Sequence, residues 1–350
     1  MKKNNMTFNI VGKRNTWFGL STLLVVASIT CLIIFGLKPG IDFTGGSLIE
    51  VSFTHERPGL EEMQSVFENQ DYGNVRVQPT EENGYILKMR FISEEEHQVV
   101  LSKLRENFEV LNESSVVNAE GLEINGSEEF AIEGMEVVTV EDSESIVNIE
   151  EGKVVENRLL EERVETIGPA ISAQLKERSA KAAIAVILAI VAYVAYAFRK
   201  VSKPVKSWKY GITAIIALLH DVIITMGIFS LLGHYMGVEV DIPFVVAMLT
   251  ILGYSVNDTI VVFDRVRENL IKHGYENFSK IVNKGVNETL VRSINTSITT
   301  LLVLSALFFF GGDSIHYFSL ALMIGVLLGT YSSIFLASPL LVVWKKLPQR

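Results

Sequence analysis

Six stretches of the chain are apolar on every face, and between the first and second lies a long segment where apolar and polar residues alternate with the periods of soluble structure. The uniform runs cover 17–37, 180–198, 211–232, 242–263, 290–310 and 318–344. A hydrocarbon core about 30 Å thick takes roughly 20 residues of helix at 1.5 Å each, so each run is about long enough to cross a bilayer. The last has residues to spare for tilt and is interrupted near its end by Pro339.

The intervening segment reads differently. Residues 47–53 alternate as a strand does, and 60–70 have helical spacing. Residues 74–78 and 85–91 form a strand pair around the turn Glu82-Asn83-Gly84. Residues 93–108 read as a helix opened by a capping box, Ser93 followed three residues later by Glu96. Strand, helix, strand, strand, helix is the order of a ferredoxin-like α+β sandwich. Residues 118–157 are rich in Glu, with β-prone stretches at 136–140 and 145–149, and read as an inserted hairpin layer. Residues 158–176 return to helical spacing and lead into the second span. The expected fold is a polytopic α-helical membrane protein with six transmembrane helices and an exported α+β domain between helices one and two.

Charge sharpens this division. Residues 38–178 hold 31 of the 40 acidic and 12 of the 31 basic side chains, so that segment carries −19 and the remainder +10. The acidic half repels polyanions, which argues against a nucleic-acid partner; the basic remainder suits anionic lipid headgroups. Lys and Arg crowd 199–209, 265–284 and the last residues, whereas the loops 233–241 and 311–317 have none. By the positive-inside rule both termini are cytoplasmic and 38–178 lies on the outer, periplasmic side of the cytoplasmic (inner) membrane. The first run has a basic flank like a signal peptide, but it is long and lacks a clear cleavage site, so it reads as a retained anchor. The expected division is 1–37 for the N-terminus and first span, 38–178 for the exported domain, 179–344 for a five-helix bundle and 345–350 for a cytoplasmic tail. Within the bundle, 264–287 reads as an amphipathic basic loop helix on the membrane surface, with Val266, Leu270, Phe278, Ile281 and Val282 on its apolar side.

Classical enzyme chemistry finds no foothold. The single cysteine, Cys31, lies inside an apolar run, no zinc spacing or phosphate loop is present, and Gly45-Gly46 lacks the spacing of a nucleotide motif. No cofactor and no metal are expected. His55 and His97 stand isolated, and the many carboxylates of 38–178 read as a solvated surface.

The residues that invite a functional reading are ionisable groups inside the apolar runs. Each costs at least about 2.5 kcal/mol to insert. Asp258 lies in the fourth run and Arg292 just inside the antiparallel fifth, so the two can share a depth. Making and breaking such a pair moves a carboxyl between proton-holding and proton-releasing states; a permanent buried bridge would only fix helix register. Asn257, Thr259 and Thr296 are polar neighbours that could support the pair. His220 and Asp221, adjacent in the third run, form a possible second relay, or an acid satisfied by hydroxyls of a neighbouring helix. Two small-residue stripes, Gly325 to Gly329 with Ser332 and Ser333, and Ala182, Ala185, Ala189 and Ala192, read as helix-packing surfaces.

Four sequences carry a family resemblance. Gly40-Ile-Asp-Phe-Thr-Gly-Gly46, Leu219-His220-Asp221, Gly253-Tyr-Ser-Val-Asn-Asp-Thr259 with Asp264-Arg265-Val-Arg-Glu-Asn269, and Thr289-Leu-Val-Arg-Ser-Ile-Asn-Thr-Ser297 resemble the SecD/SecF family, on its SecF side. The segment 118–157 is longer than that family leads one to expect. The resemblance implies membership of the resistance-nodulation-division superfamily. It further implies pairing with SecD into a twelve-span unit, association with the SecYEG translocon, and use of the proton-motive force in late steps of preprotein translocation. It also implies that Asp258 and Arg292 work with an Asp of SecD. Two other readings stay open: a non-conducting assembly or scaffold subunit of that complex, and half of a proton-driven small-molecule exporter.

Overall fold

The computed structural model describes residues 8–55, 57–68, 70–80, 83–112, 154–197, 207–274 and 276–346. They form two compact units, Met1–Phe43 with Gln174–Arg350, and Thr44–Ala173.

The first unit is helical. It contains α1 (Arg14–Ile34), the short α2 (Ile41–Thr44) at its border, α5 (Pro169–Ala197) from Gln174 onward, α6 (Ser207–Met236), α7 (Ile242–His273), α8 (Phe278–Phe310), α9 (Asp313–Tyr331), a π-helical turn (Ser332–Ala337) and α10 (Ser338–Lys346). Among the described residues six helical spans are long and apolar enough to cross a membrane, the last running through α9, the π-turn and α10. The chain is a multi-pass membrane protein. Lipid tails are as apolar as Leu, so the hydrophobic effect does not press these helices together, and close packing of small residues must do it. A Cβ on Gly325 of α9 would lie 2.2 Å from Ile251 of α7, and one on Gly329 would lie 3.0 Å from Ser255 Cβ. The stripe expected at 325–333 is therefore the α7–α9 contact. Ala185, Ala189 and Ala192 of α5 are exposed, so that stripe has no packing role within the described chain.

The expected loop helix at 264–287 is corrected. No breaker stands between Phe263 and Gly274, so α7 runs on to His273 and stops where Gly274 adopts φ +79°; α8 begins at Phe278. The same apolar residues, Val266, Leu270, Phe278, Ile281 and Val282, pack into the bundle core beside Ile10, Val11 and Phe263. Arg265 donates to Glu288 at 2.7 Å, and Asn269 donates to the same carboxylate at 2.6 Å, which ties the two extensions together. Asn283 and Asn287 of α8 bond the backbone of Phe8 and Val11, so the N-terminal segment is strapped to this end of the bundle.

At the opposite end of α7, Asp241 caps the helix by accepting from Phe244 N at 2.9 Å. Asp42 supplies a second acceptor, taking the Ile242 N–H at 2.8 Å, while Pro39 and Val240 form a parallel bridge beside it. The chain before the second unit is thus pinned to the first turn of α7.

The second unit is the α+β domain. Its antiparallel sheet has the order β2 (Arg76–Pro79), β3 (Gly84–Met89), β1 (Gly46–Phe53), β6 (Leu159–Ile167). The helices α3 (Leu60–Ser65) and α4 (Glu94–Phe108) contribute Met63, Leu101 and Leu104 to a core with Ile49 and Leu87. Each such buried side chain stabilises a water-facing domain by about 1.5–3 kcal/mol. The capping box is present, Ser93 Oγ accepting from Glu96 N and Glu96 from Ser93 N. Gly45 and Gly46, at φ +74° and +140°, turn the chain into β1 where a side chain would be strained. Residues 158–176, expected as one helix, are a strand followed by a helix that starts at Pro169. The Glu- and Arg-rich stretch favours helix locally, but pairing with β1 along its whole length prevails. A short ladder joins β4 (Val110–Asn112) to β5 (Val154–Asn157); the β-prone stretches at 136–140 and 145–149 lie outside the described residues. His97 is buried between Glu94 and Glu161, 3.3 Å from each, and belongs to the α4–β6 packing.

Candidate proton site

Among the described residues two carboxylates lie inside the apolar runs, Asp221 on α6 and Asp258 on α7. Asp221 is fully buried. Its Oδ1 lies 2.9 Å from His220 Nδ1, and its Oδ2 accepts from Ser255 Oγ at 2.6 Å and Ser332 Oγ at 2.7 Å. The adjacent pair on α6 is therefore closed by hydroxyls from α7 and from the π-turn. His220 is also buried; its ring stacks on Tyr331 with centroids 5.9 Å apart, and its Nε2 has no hydrogen-bond partner among the described residues. Tyr331 in turn shares a hydrogen bond with Ser21 of α1 at 3.1 Å.

Asp258 is half-buried, seven residues before Arg265, the first of the α7–α8 ties. Ser293 of α8 donates to Oδ1 at 2.6 Å, and Ser333 of the π-turn donates to Oδ2. Arg292 does not pair with it. That side chain is exposed and acts on Asp258 only as a charge through space. The expectation of a direct Asp258–Arg292 contact is therefore corrected. Ser293, the next residue on α8, turns inward to the carboxylate, and successive helical residues point about 100° apart, so Arg292 must turn away.

The expected supporting residues divide likewise. Asn257 is exposed; Thr259 is buried with its hydroxyl unpartnered among the described residues; Thr296 bonds the Arg292 and Ser293 carbonyls of its own helix. The groups that do hold the carboxylates are Ser255, Ser293, Ser332 and Ser333. Ser332 and Ser333 were visible only as the end of a small-residue stripe, and a serine one turn beyond a tight glycine contact was the available signal. A second hydroxyl chain lies nearby, Tyr254 with Ser297 at 3.1 Å and Ser297 with Thr330. Among the described residues no cluster of metal-ligating side chains is present.

The arrangement is a pair of membrane-embedded acids held by serine hydroxyls and, at Asp221, by the His220 ring, while Arg292 forms no ion pair with Asp258 among the described residues. Such groups are chemically able to take up and release protons, because among the described residues no Lys or Arg bonds either carboxylate.

The family models complete the comparison. Residues 148–347 match the model described as "Protein export membrane protein SecD/SecF, C-terminal", and residues 32–56 match the "SecD/SecF GG Motif". The chain belongs to the SecD/SecF family. Similar curated members include "Protein translocase subunit SecF" of Thermobaculum terrenum, 39% identical over 96% of this chain and 94% of that one. The subunit of the same name from Synechocystis is 34% identical over 93% and 91%. A solved SecDF from Thermus, titled a translocon-associated membrane protein, superposes with TM-score 0.72 at 28% identity over 99% of this chain. A second SecDF, in a form called super-membrane-facing, gives 0.60 at 27% identity. This chain spans 40% of the length of each SecDF. The family's glycine motif is the segment whose Asp42 caps α7 and whose Gly45-Gly46 opens β1.

Proposed function

We propose that this chain is the SecF-type accessory subunit of a protein-export translocon, working with a SecD partner to couple proton movement to late steps of preprotein translocation. The observation that carries the reading is Asp258: an acid in a membrane span, held by two serine hydroxyls, with Arg292 near enough to act on it but not bonded to it. A charge left facing lipid costs at least about 2.5 kcal/mol. Arg292, Asn295, Thr296 and Thr299 on α8 and Asn257 on α7 are all exposed, so this face is read as covered by protein in the working complex. A SecD half supplies that cover, in keeping with solved SecDF chains, of whose length this chain covers 40%. The preprotein and a SecYEG channel are the further partners.

In this reading both termini and the α7–α8 extensions are cytoplasmic, and the α+β domain is on the outer side, which the distribution of Lys and Arg supports. Asp258 and Arg292 form the proton relay with the partner half, and His220 with Asp221 a second station. Chemistry is confined to proton binding, so the chain is a transport subunit and no enzyme.

The test is preprotein translocation in sealed vesicles holding the SecD partner and the translocon, with an imposed proton gradient. Asp258→Asn and Arg292→Lys are expected to abolish the gradient-dependent part while the complex still forms. Retention of full gradient dependence in both variants would make the charges structural and favour a scaffold role.

A further inference from the structure

Two consecutive residues hold the two acids. Ser332 donates to Asp221 of α6 at 2.7 Å, and Ser333 donates to Asp258 of α7. They open the π-helical turn Ser332–Ala337, a rare conformation that recurs where a helix carries function. Each hydroxyl also has a backbone acceptor one turn back: Ser332 faces Gly329 O at 3.2 Å, and Ser333 faces Thr330 O at 3.1 Å. A serine has a single proton to donate. Each therefore has two arrangements, toward its carboxylate or toward its own helix. Downstream, Ser338 Oγ takes up the Ser333 carbonyl at 2.9 Å, a backbone acceptor for which the wider turn needs a partner.

The ionisable surroundings are few. Asp221 is acted on by His220 of its own helix, and Asp258 by Arg292 of α8. From α7 Asp221 receives Ser255, from α9 the Tyr331 ring lies over His220, and from α1 Ser21 bonds the Tyr331 hydroxyl. Among the described residues no Lys or Arg bonds either carboxylate.

We propose that Asp221 and Asp258 are one coupled pair, and that Ser332 and Ser333 are the positioning residues through which protonation of Asp258 is felt at Asp221. The step balances simply. The Asp258 carboxylate takes one proton from a hydronium ion, whose O–H bond breaks to leave water as the carboxyl O–H forms; the Ser333 hydroxyl keeps its own proton and turns from Oδ2 to Thr330 O. The neutral acid is a weaker acceptor than the anion, so the exchange favours the backbone. Because Ser332 is the next residue, the resulting adjustment of the π-turn alters its bond to Asp221. This coupling rests on the relay reading above.

Infrared difference spectra of the chain with its SecD partner in phosphatidylethanolamine and phosphatidylglycerol vesicles, titrated in pH, test it. Asp258→Asn and Asp221→Asn assign the carboxyl bands. In the wild type the Asp221 band is expected to shift as Asp258 titrates. Ser332→Ala should abolish that response and leave the Asp258 titration in place. Ser333→Ala should abolish it and also move the Asp258 midpoint by about one pH unit, tenfold in proton affinity; Ser333→Thr, which keeps the hydroxyl, should restore both. An Asp258 that titrates while Asp221 stays silent overturns the coupling alone. An Asp258 that does not titrate overturns the relay and the coupling together.

Discussion

Replacing Gly325 by Ala puts one methyl group where the α7–α9 contact has no room. The new Cβ would lie 2.2 Å from both Cδ1 and Cγ1 of Ile251 and 2.8 Å from its Cγ2. Carbon atoms rest at about 3.5–4.0 Å, so the overlap exceeds roughly 1 Å. Ile251 is 1% exposed and β-branched, so it has little freedom to swing aside, and α9 must move instead. Overpacking costs about 1–3 kcal/mol, and Ala regains up to about 1 kcal/mol of helix propensity over Gly. A net loss of about 1 kcal/mol, or about 2 °C in thermal midpoint, is expected. Function should suffer more. A separation of about 1 Å carried along α9 to Ser333 would lengthen and weaken its hydrogen bond to Asp258. The assay is thermal unfolding of the purified complex beside gradient-driven translocation in vesicles. Ile251→Ala in the same chain should rescue both, by returning the volume that the methyl took. If Gly325→Ala is neutral in both measurements, or the two substitutions simply add, the tight α7–α9 contact does not position the site.

Other consequences can be checked separately. Asp42→Ala removes one of two acceptors at the start of α7 and should lower the thermal midpoint by the equivalent of about 1 kcal/mol, with Asp42→Asn milder. Gly253→Ala, where nothing lies within 4 Å of the added methyl, should be neutral or slightly stabilising by the same assay unless that face is covered by a partner, in which case co-purification of SecD falls. In the α+β domain the Arg90 guanidinium, followed by the Ser93 backbone N–H, holds the Glu96 carboxyl below the usual range. Its contribution is fully present above the unfolded value of about 4.3 and is lost as pH falls through the lower folded value. Amide exchange of α4 between pH 3 and 6, corrected for intrinsic rates, should show its opening at higher pH in Arg90→Ala than in the wild type.

The elements most legible in the sequence were those set by a single local rule. Uniform apolar runs gave the spans, and Ser93 with Glu96 gave the start of α4, because length in lipid and a capping box both act over a few residues. The strand β6 was hidden, since its Glu and Arg residues favour helix locally and only pairing with β1 makes them extended. The α7–α8 extensions were hidden for a related reason: an amphipathic stretch looks the same whether it lies on a membrane surface or packs against Ile10 and Val11. Asp221 and Asp258 could be picked out as costly groups in lipid, and neighbouring-helix hydroxyls were one expected answer for Asp221, yet which serine bonds which acid could not be read. Opposite charge pointed to Arg292, while the contacts are made by serines, whose positions depend on the α7–α9 glycine contact and on the extra residue in the π-turn.

The hydrogen bond from Ile242 N to Asp42 has a mechanical meaning. Thr44, where the α+β domain begins, is two residues beyond Asp42, and Asp42 grips the first turn of the helix that carries Asp258. A pull on the chain at Thr44 is therefore borne first by a helix cap and by the Pro39–Val240 bridge, instead of being absorbed in slack linker. The load falls on one end of α7, and Asp258, the acid of the proposed relay, lies about 16 residues, or roughly 24 Å, along the same helix.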